Sequence, residues 1–277
     1  MSKQNDLFKS IVNKRICAII AHGSSIYELQ RRMQEFKNLD VCWVGIGQFD
    51  TIEKYIMEPA GKSLDIVFDC GSVPDAKSKK YELNQRIPRL EYYLGKNDRK
   101  LWITTFGAVR DGIKRFSIDE FWSKYENQTL MIDSLFPRDQ VPKYMCVPNS
   151  LTLCVGAMIG AKAKKIILFG CDGYKGTPPE GINSYYRPEN VKQERLAALG
   201  SIEDKGINRD TNAFEGLFKD RYIRFADYFQ YYPAVFNCSP NSVFECIPKI
   251  NYDQAKLIMQ GQEVKVQDNE KGWKILC

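Results

Sequence analysis

Short apolar runs rich in β-branched residues recur along this chain, and helical patterns separate several of them. The runs are Ile16–Ala21 (ICAIIA), Val41–Ile46 (VCWVGI), Leu64–Asp69 (LDIVFD), Lys100–Phe106 (KLWITTF), Lys164–Gly170 (KKIILFG) and Ala234–Ser239 (AVFNCS). They show little polar alternation, as expected of strands covered on both faces. Helical spacing of apolar residues appears at Ile26 to Phe36, Ser150 to Ala161, Ala213 to Tyr231 and Tyr252 to Gln260. Strand followed by helix predicts an α/β fold: a Rossmann-like, doubly wound, mainly parallel sheet with helices on both faces.

At 277 residues the chain has room for one such domain over 1–277, with one irregular insertion. Residues 172–212 form that insertion; they are rich in Gly, Pro, Asn and charge, with a short helix near Val191–Leu199. A long irregular segment after a buried strand is commonly a functional lid, and its tyrosines favour that reading over disorder. The last segment, GQEVKVQDNEKGWKILC, is read as a terminal hairpin.

Forty Lys and Arg stand against thirty-four Asp and Glu, a net charge of +6 without a dense basic tract. That argues against nucleic acid and suits a small anionic substrate. Nine cysteines occur without a C-x-x-C pair, and Cys17, Cys42, Cys154 and Cys238 sit inside apolar runs as small buried hydrophobes do. Neither a zinc site nor a disulfide framework is expected, which points to a reducing, cytoplasmic setting. No run reaches the length of a membrane span and no leader pattern opens the chain, while peripheral membrane contact and a homo-oligomer stay open.

In a parallel sheet, ligands collect beyond the carboxyl ends of strands, where a turn leads into a helix N-terminus that attracts anions. The stretch IIAHGSSIYEL has that grammar: His22, Gly23, Ser24 and Ser25 stand between the first strand and its helix. Gly23 allows close backbone approach, and the two serines offer hydroxyls and amides to a phosphate. Ser25 with Glu28 also reads as a capping box. Neither G-x-x-x-x-G-K-[ST] nor G-x-G-x-x-G follows the first strand, which removes the main support for a P-loop kinase or a nicotinamide dehydrogenase. GIGQF, Gly45 to Phe49, is a structural turn or a second wall of the same crevice.

A second constellation spans Pro148 to Gly176. Asn149 and Ser150 stand where a helix cap belongs, and Gly156, Ala157 and Gly160 offer a small face on which that helix can lie close to the sheet. Gly170, Asp172 and Tyr174 follow the next strand and place a carboxylate and a phenol at its carboxyl end. Asp172 is expected to hydrogen-bond a ribose, position a metal or cap the next turn. His22, the one histidine, is read as a loop residue that either touches ligand or packs, and a lone histidine builds no histidine metal cluster.

Three blocks, AHGSSIYEL, NSLTLCVGAMIGAKAKKIILFGCDGYKG and VFNCSPNSVFECIPKI, resemble the superfamily joining bacterial lipooligosaccharide sialyltransferases, the flagellar Maf glycosyltransferases and the MptE-like hydroxymethylpterin pyrophosphokinases. The resemblance covers about half the chain and leaves Gly47 to Lys143 unmatched. It implies a Rossmann-like sheet that binds a nucleotide, CMP in the transferases, through His22, Gly23, Ser24, Ser25, Asn149, Ser150, Gly170 and Asp172. The sialyltransferase loop reads Gly-Asn-Gly-Pro-Ser, so His22 stands at its Asn and Ser24 at its Pro.

The same resemblance puts Tyr174, with Tyr185 or Tyr186, on phenols that assist phosphate departure. Where the transferases carry a histidine base, this sequence has Asp204, Arg209 and Asp210, of which Asp210 is the candidate base. As a CMP-sugar transferase the protein would need no metal and would act on a nucleotide-activated donor and a glycan or small acceptor. As an MptE-like enzyme it would use ATP and Mg²⁺, with Asp172 and Asp210 as oxygen ligands. A non-catalytic nucleotide-binding module is the third reading.

Overall fold

The computed structural model describes residues 3–23, 25–47, 49–68, 87–104, 119–136, 150–172, 222–239, 242, 244 and 246–266. Its strands are β1 (Ile16–Ile20), β2 (Val41–Ile46), β3 (Ile66–Phe68), β4 (Leu101–Thr104), β5 (Thr129–Met131), β6 (Lys165–Phe169) and β7 (Ala234–Asn237). Every pairing is parallel, and the order across the sheet is β5-β4-β3-β2-β1-β6-β7. The α/β, doubly wound architecture expected from the sequence is therefore observed. The chain walks outward from β1 to β5, returns to the far side of β1 with β6, and ends with β7. This reversal sets a topological switch point between β1 and β6.

The helices are α1 (Lys3–Val12), α2 (Ile26–Phe36), α3 (Phe49–Ile52), α4 (87–94), α5 (Asp119–Tyr125), α6 (Ser150–Gly160), α7 (222–229) and α8 (Tyr252–Met259). Alternating side chains of the strands feed two apolar layers. Cys17 and Ile19 of β1 join α1, α6 and α7 on one face. Ile16, Ala18 and Ile20 join α2, α3, α4, α5 and α8 on the other. In α2 the buried Ile26, Leu29, Met33 and Phe36 recur at three and four residues, one stripe of a helix otherwise turned to water. In α6 every residue from Leu151 to Ile159 is buried, so this helix lies between the sheet and a second helical neighbour.

That neighbour is α7, and it corrects one expectation. A Cβ on Gly156 would stand 2.5 Å from the Phe225 ring, and one on Gly160 would stand 2.7 Å from the Phe229 ring. The small face of α6 thus receives two phenylalanines of α7 instead of lying on the sheet. The described part of the helix expected over Ala213 to Tyr231 ends before Gln230, whose φ of 52° breaks it. Residues 213–221 and the helix expected near Val191–Leu199 lie outside the described residues.

Other boundaries also move. β1, β6 and β7 fall short of the expected runs by one or two residues, while their flanking backbone still makes ladder bonds, Ala21 to the Phe169 carbonyl and Cys238 to the Leu168 carbonyl. β3 starts two residues and β4 one residue later than expected, and Asp69, Thr105 and Phe106 lie outside the described residues. The three-residue edge strand β5 carries too short a pattern to stand out, and α1, α3, α4 and α5 likewise add to the helices expected from the sequence. Gly261 to Val266, the described start of the expected terminal hairpin, forms no strand; Val264 and Val266 instead lie half-buried against the core. All described cysteines are buried and outside any disulfide, among them Cys17 and Cys42 side by side in register on β1 and β2. No helix among the described residues is long and apolar enough to cross a membrane.

Candidate functional site

Two chain segments meet at the switch point. After β1 the backbone runs through Ala21, His22 and Gly23 to Ser25 and into α2; after β6 it runs through Gly170 and Cys171 to Asp172. The Ala21 amide donates to the Phe169 carbonyl at 2.9 Å and the Gly23 amide to the Gly170 carbonyl at 2.7 Å, so the two segments continue the ladder beyond the strands. Gly170 turns with φ of 65°, and a Cβ there would stand 2.5 Å from the Ala21 oxygen. A Cβ on Gly23 would meet the Gly170 oxygen at 2.5 Å and Asp172 Oδ2 at 2.6 Å. Both glycines are therefore dictated by close backbone approach.

Asp172 occupies the position this contact creates. It is buried, with 4% of its surface exposed. The Ser25 amide donates to its Oδ2 at 2.8 Å, and the Ser25 hydroxyl donates to its Oδ1. A carboxylate from the segment after β6 thus caps α2 from beside the end of β1, where it meets the helix's partial positive charge. This overturns the capping box expected at Ser25 and Glu28. Ser25 has helical angles (φ −59°, ψ −15°) and makes no capping bond of its own, while Glu28 pairs with Arg31. The one capping box observed on a described helix belongs to α8, where Asn251 and Gln254 exchange bonds at 2.8 and 2.9 Å.

A third segment, after β7, supports the first two; its residues are not among those the sequence patterns single out for the site. The Ser239 and Ser25 hydroxyl oxygens lie 3.0 Å apart, and the Cys171 amide donates to Ser239 Oγ at 3.0 Å. Asn237 Nδ2 donates to the Cys171 carbonyl at 3.1 Å, and the Ser242 hydroxyl donates to the same oxygen at 2.8 Å. From α8, the Tyr252 hydroxyl donates to the Ser25 carbonyl at 3.1 Å. Burial pushes the Tyr252 phenol well above its usual range, so it remains a donor. Burial, and after it the Asp172 charge, pushes up the Cys171 thiol and so favours its protonated form. The polar run NCSPNS after an apolar strand is the one sequence signal that points to these residues.

The remaining predicted residues divide in two. His22 is partly exposed beside Gly47, whose Cβ position would lie 3.9 Å from the imidazole; Gly47 turns with φ of 72°, so the GIGQF stretch is both a turn and a neighbour of this loop. Ser150 opens α6, which leads directly into β6 and so runs antiparallel to it; Ser150 therefore lies at the carboxyl edge of the sheet. The structure thus brings His22, Gly23, Ser25, Gly170 and Asp172 together and puts Ser150 on the same edge. Ser24, Asn149, Tyr174, Tyr185, Tyr186, Asp204, Arg209 and Asp210 lie outside the described residues. Among the described residues no cluster of His, Cys, Asp and Glu is arranged to hold a metal ion.

Chemically, the arrangement offers a rigid carboxyl edge with one buried carboxylate, small hydroxyls and an imidazole. No family model and no curated protein matches the chain. Among solved structures, the chain is similar to the monofunctional α-2,3-sialyltransferase Cst-I from Campylobacter jejuni: 12% identity, a TM-score of 0.52, and 93% of this chain covering 85% of that one. At this identity the likeness is one of fold, a parallel α/β sheet shared over nearly the whole chain.

Proposed function

We propose that this protein is a glycosyltransferase that moves a sugar from a CMP-sugar donor to an acceptor hydroxyl. The observation that carries the reading is the switch-point assembly, in which His22, Gly23, Ser25, Gly170 to Asp172 and Ser150 share the edge where nucleotides bind in open parallel sheets. The fold likeness to a sialyltransferase and the three sequence blocks support the same choice.

In the proposed reaction the acceptor oxygen bonds to the anomeric carbon as the bond from that carbon to the phosphate oxygen breaks. CMP departs with the bonding pair, and the acceptor proton passes to a base, for which Asp210 is the candidate. Tyr174 with Tyr185 or Tyr186 is assigned to donate to the departing phosphate, a role suited to phenols when no metal takes part. The loop at His22 to Ser25 and Asp172 are assigned to the nucleoside end.

The test is a thermal-shift panel of CMP, CDP, UDP, GDP, ADP and ATP, each with and without Mg²⁺. A ligand at a hundred times its Kd stabilises by about 2.7 kcal/mol. A metal-independent shift with CMP is expected, followed by release of CMP from a CMP-sugar when an acceptor is supplied. A Mg²⁺-dependent shift with ATP instead would replace this reading by the diphosphokinase. CMP binding without turnover in Tyr174→Phe and wild type alike would leave a binding module.

A further inference from the structure

The head of α2 already holds an anion. Ser25 gives Asp172 both its amide, at 2.8 Å, and its hydroxyl. Three further amides are engaged as well: Gly23 on the Gly170 carbonyl at 2.7 Å, Ile26 on the Gly23 carbonyl at 3.1 Å and Glu28 on the Ser25 carbonyl at 3.1 Å. These four amides, which a helix N-terminus can turn toward a phosphate, are here turned toward the protein itself.

The proton count fixes the direction of the network. Ser25 has one hydroxyl proton, and it lies on Asp172. At 3.0 Å the Ser239 hydroxyl must then donate to Ser25 Oγ, while its own oxygen accepts the Cys171 amide. Ser239 therefore holds the Ser25 hydroxyl on the carboxylate and keeps it from rotating toward a ligand. A phosphate approaching this point meets occupied space and a like charge with little water to screen it.

We propose that Asp172 is a specificity residue that fills the anion seat of α2 from within. The crevice then takes the nucleoside part of a ligand at the His22–Ser25 loop and keeps its phosphate away from α2, which selects a monophosphate donor held elsewhere over a polyphosphate laid along the loop. The proposal revises the phosphate role expected for Ser25. It rests on the nucleotide reading for what the ligand carries, but the filled seat stands on the distances alone.

Inorganic pyrophosphate, titrated without metal into the ¹⁵N-labelled full chain, tests it with the Ser25 amide as reporter. Wild type should show no saturable movement of that resonance. Asp172→Ala empties the seat and removes the charge, and should bind pyrophosphate at least tenfold more tightly with a large Ser25 shift. Asp172→Asn removes the charge and keeps the shape, so it should gain at least threefold; it decides the matter alone if the alanine variant does not fold. Saturable binding at Ser25 in wild type, or no gain in any folded variant, overturns the proposal. CMP titrated in parallel separates the two ideas: failure of CMP to bind removes the glycosyltransferase reading and leaves the pyrophosphate result to decide the role of Asp172.

Discussion

The two edges of the sheet bury polar groups in opposite ways. At the amino edge charge answers charge. Arg15 before β1 pairs with Asp40 before β2 at 2.7 Å, and Lys96 bridges Glu53 at 2.6 Å and Glu58 at 2.8 Å. Burial works against the Lys96 ammonium, but its bonds to the two glutamates outweigh that and raise its pKa. Just before β3 and β4, burial pushes the Asp65 carboxyl up and the Lys100 ammonium down. At the carboxyl edge, the Asp172 carboxylate is held by the amide and hydroxyl of one serine, backed by Ser239, Asn237 and Ser242. Paired charges lock strands together, while short hydroxyls around one carboxylate fix its direction. The first arrangement serves stability and the second is the frame of a site.

The contrast between the edges is sharpest at Glu53. Its nearly buried carboxylate accepts the Leu64 amide at 2.8 Å and the Ser63 hydroxyl as well as Lys96. Glu53→Ala leaves these donors unpaired and should cost about 3 kcal/mol in urea denaturation. CMP affinity of the folded fraction should not change.

Alkaline pH attacks the same edge. The Tyr222 hydroxyl donates to the Pro233 carbonyl at 2.8 Å, just before β7, and burial pushes its phenol up to about 12. Because the folded pKa lies above the unfolded value near 10, its contribution is fully present below pH ~10 and is lost as pH rises toward 12, about 2 to 3 kcal/mol in all. Stability measured by urea denaturation from pH 9 to 12 should fall less steeply in Tyr222→Phe than in wild type.

At the carboxyl edge, Gly23→Ala drives a methyl into the Gly170 oxygen and Asp172, and should cost about 2 kcal/mol together with at least tenfold in CMP affinity. Gly61→Ala, at φ of 67° in open space, should cost about 1 kcal/mol and leave CMP binding alone. Ser239→Ala should likewise cost about 1 kcal/mol. Its sharper signature is faster hydrogen exchange at the Ser25 and Cys171 amides, which a merely space-filling serine would not produce.

Where the sequence was legible, the reason is burial. Val41–Ile46 and Ile26–Phe36 appear in the fold with the expected bounds, because a strand covered on both faces and a one-striped helix write their periods into the residues themselves. The family resemblance put the first loop with Gly170 and Asp172 in one crevice, and the order of β1 beside β6 is what makes the two segments meet. What could not be read was partnership. Ser25 followed by Glu28 has the spacing of a capping box, yet a carboxylate 147 residues away takes both the serine's amide and its hydroxyl, while Glu28 pairs with Arg31. Gly156 and Gly160 could be read as close-packing residues, but not that phenylalanines of α7 would fill the space. Ser239 and Asn237 stand in the third block that carries the family resemblance, without a role assigned there; their role exists only once β7 lies beside β6.

Whether the switch point between β1 and β6 is where this protein meets a nucleotide is tested most simply by hydrogen–deuterium exchange of the full chain with and without saturating CMP. Binding there should slow exchange in the segments carrying His22 to Ser25 and Gly170 to Asp172, with the amino-edge segments around Leu64 and Lys100 unchanged. Protection confined to the amino edge, or no protection anywhere with CMP present at saturation, would contradict it.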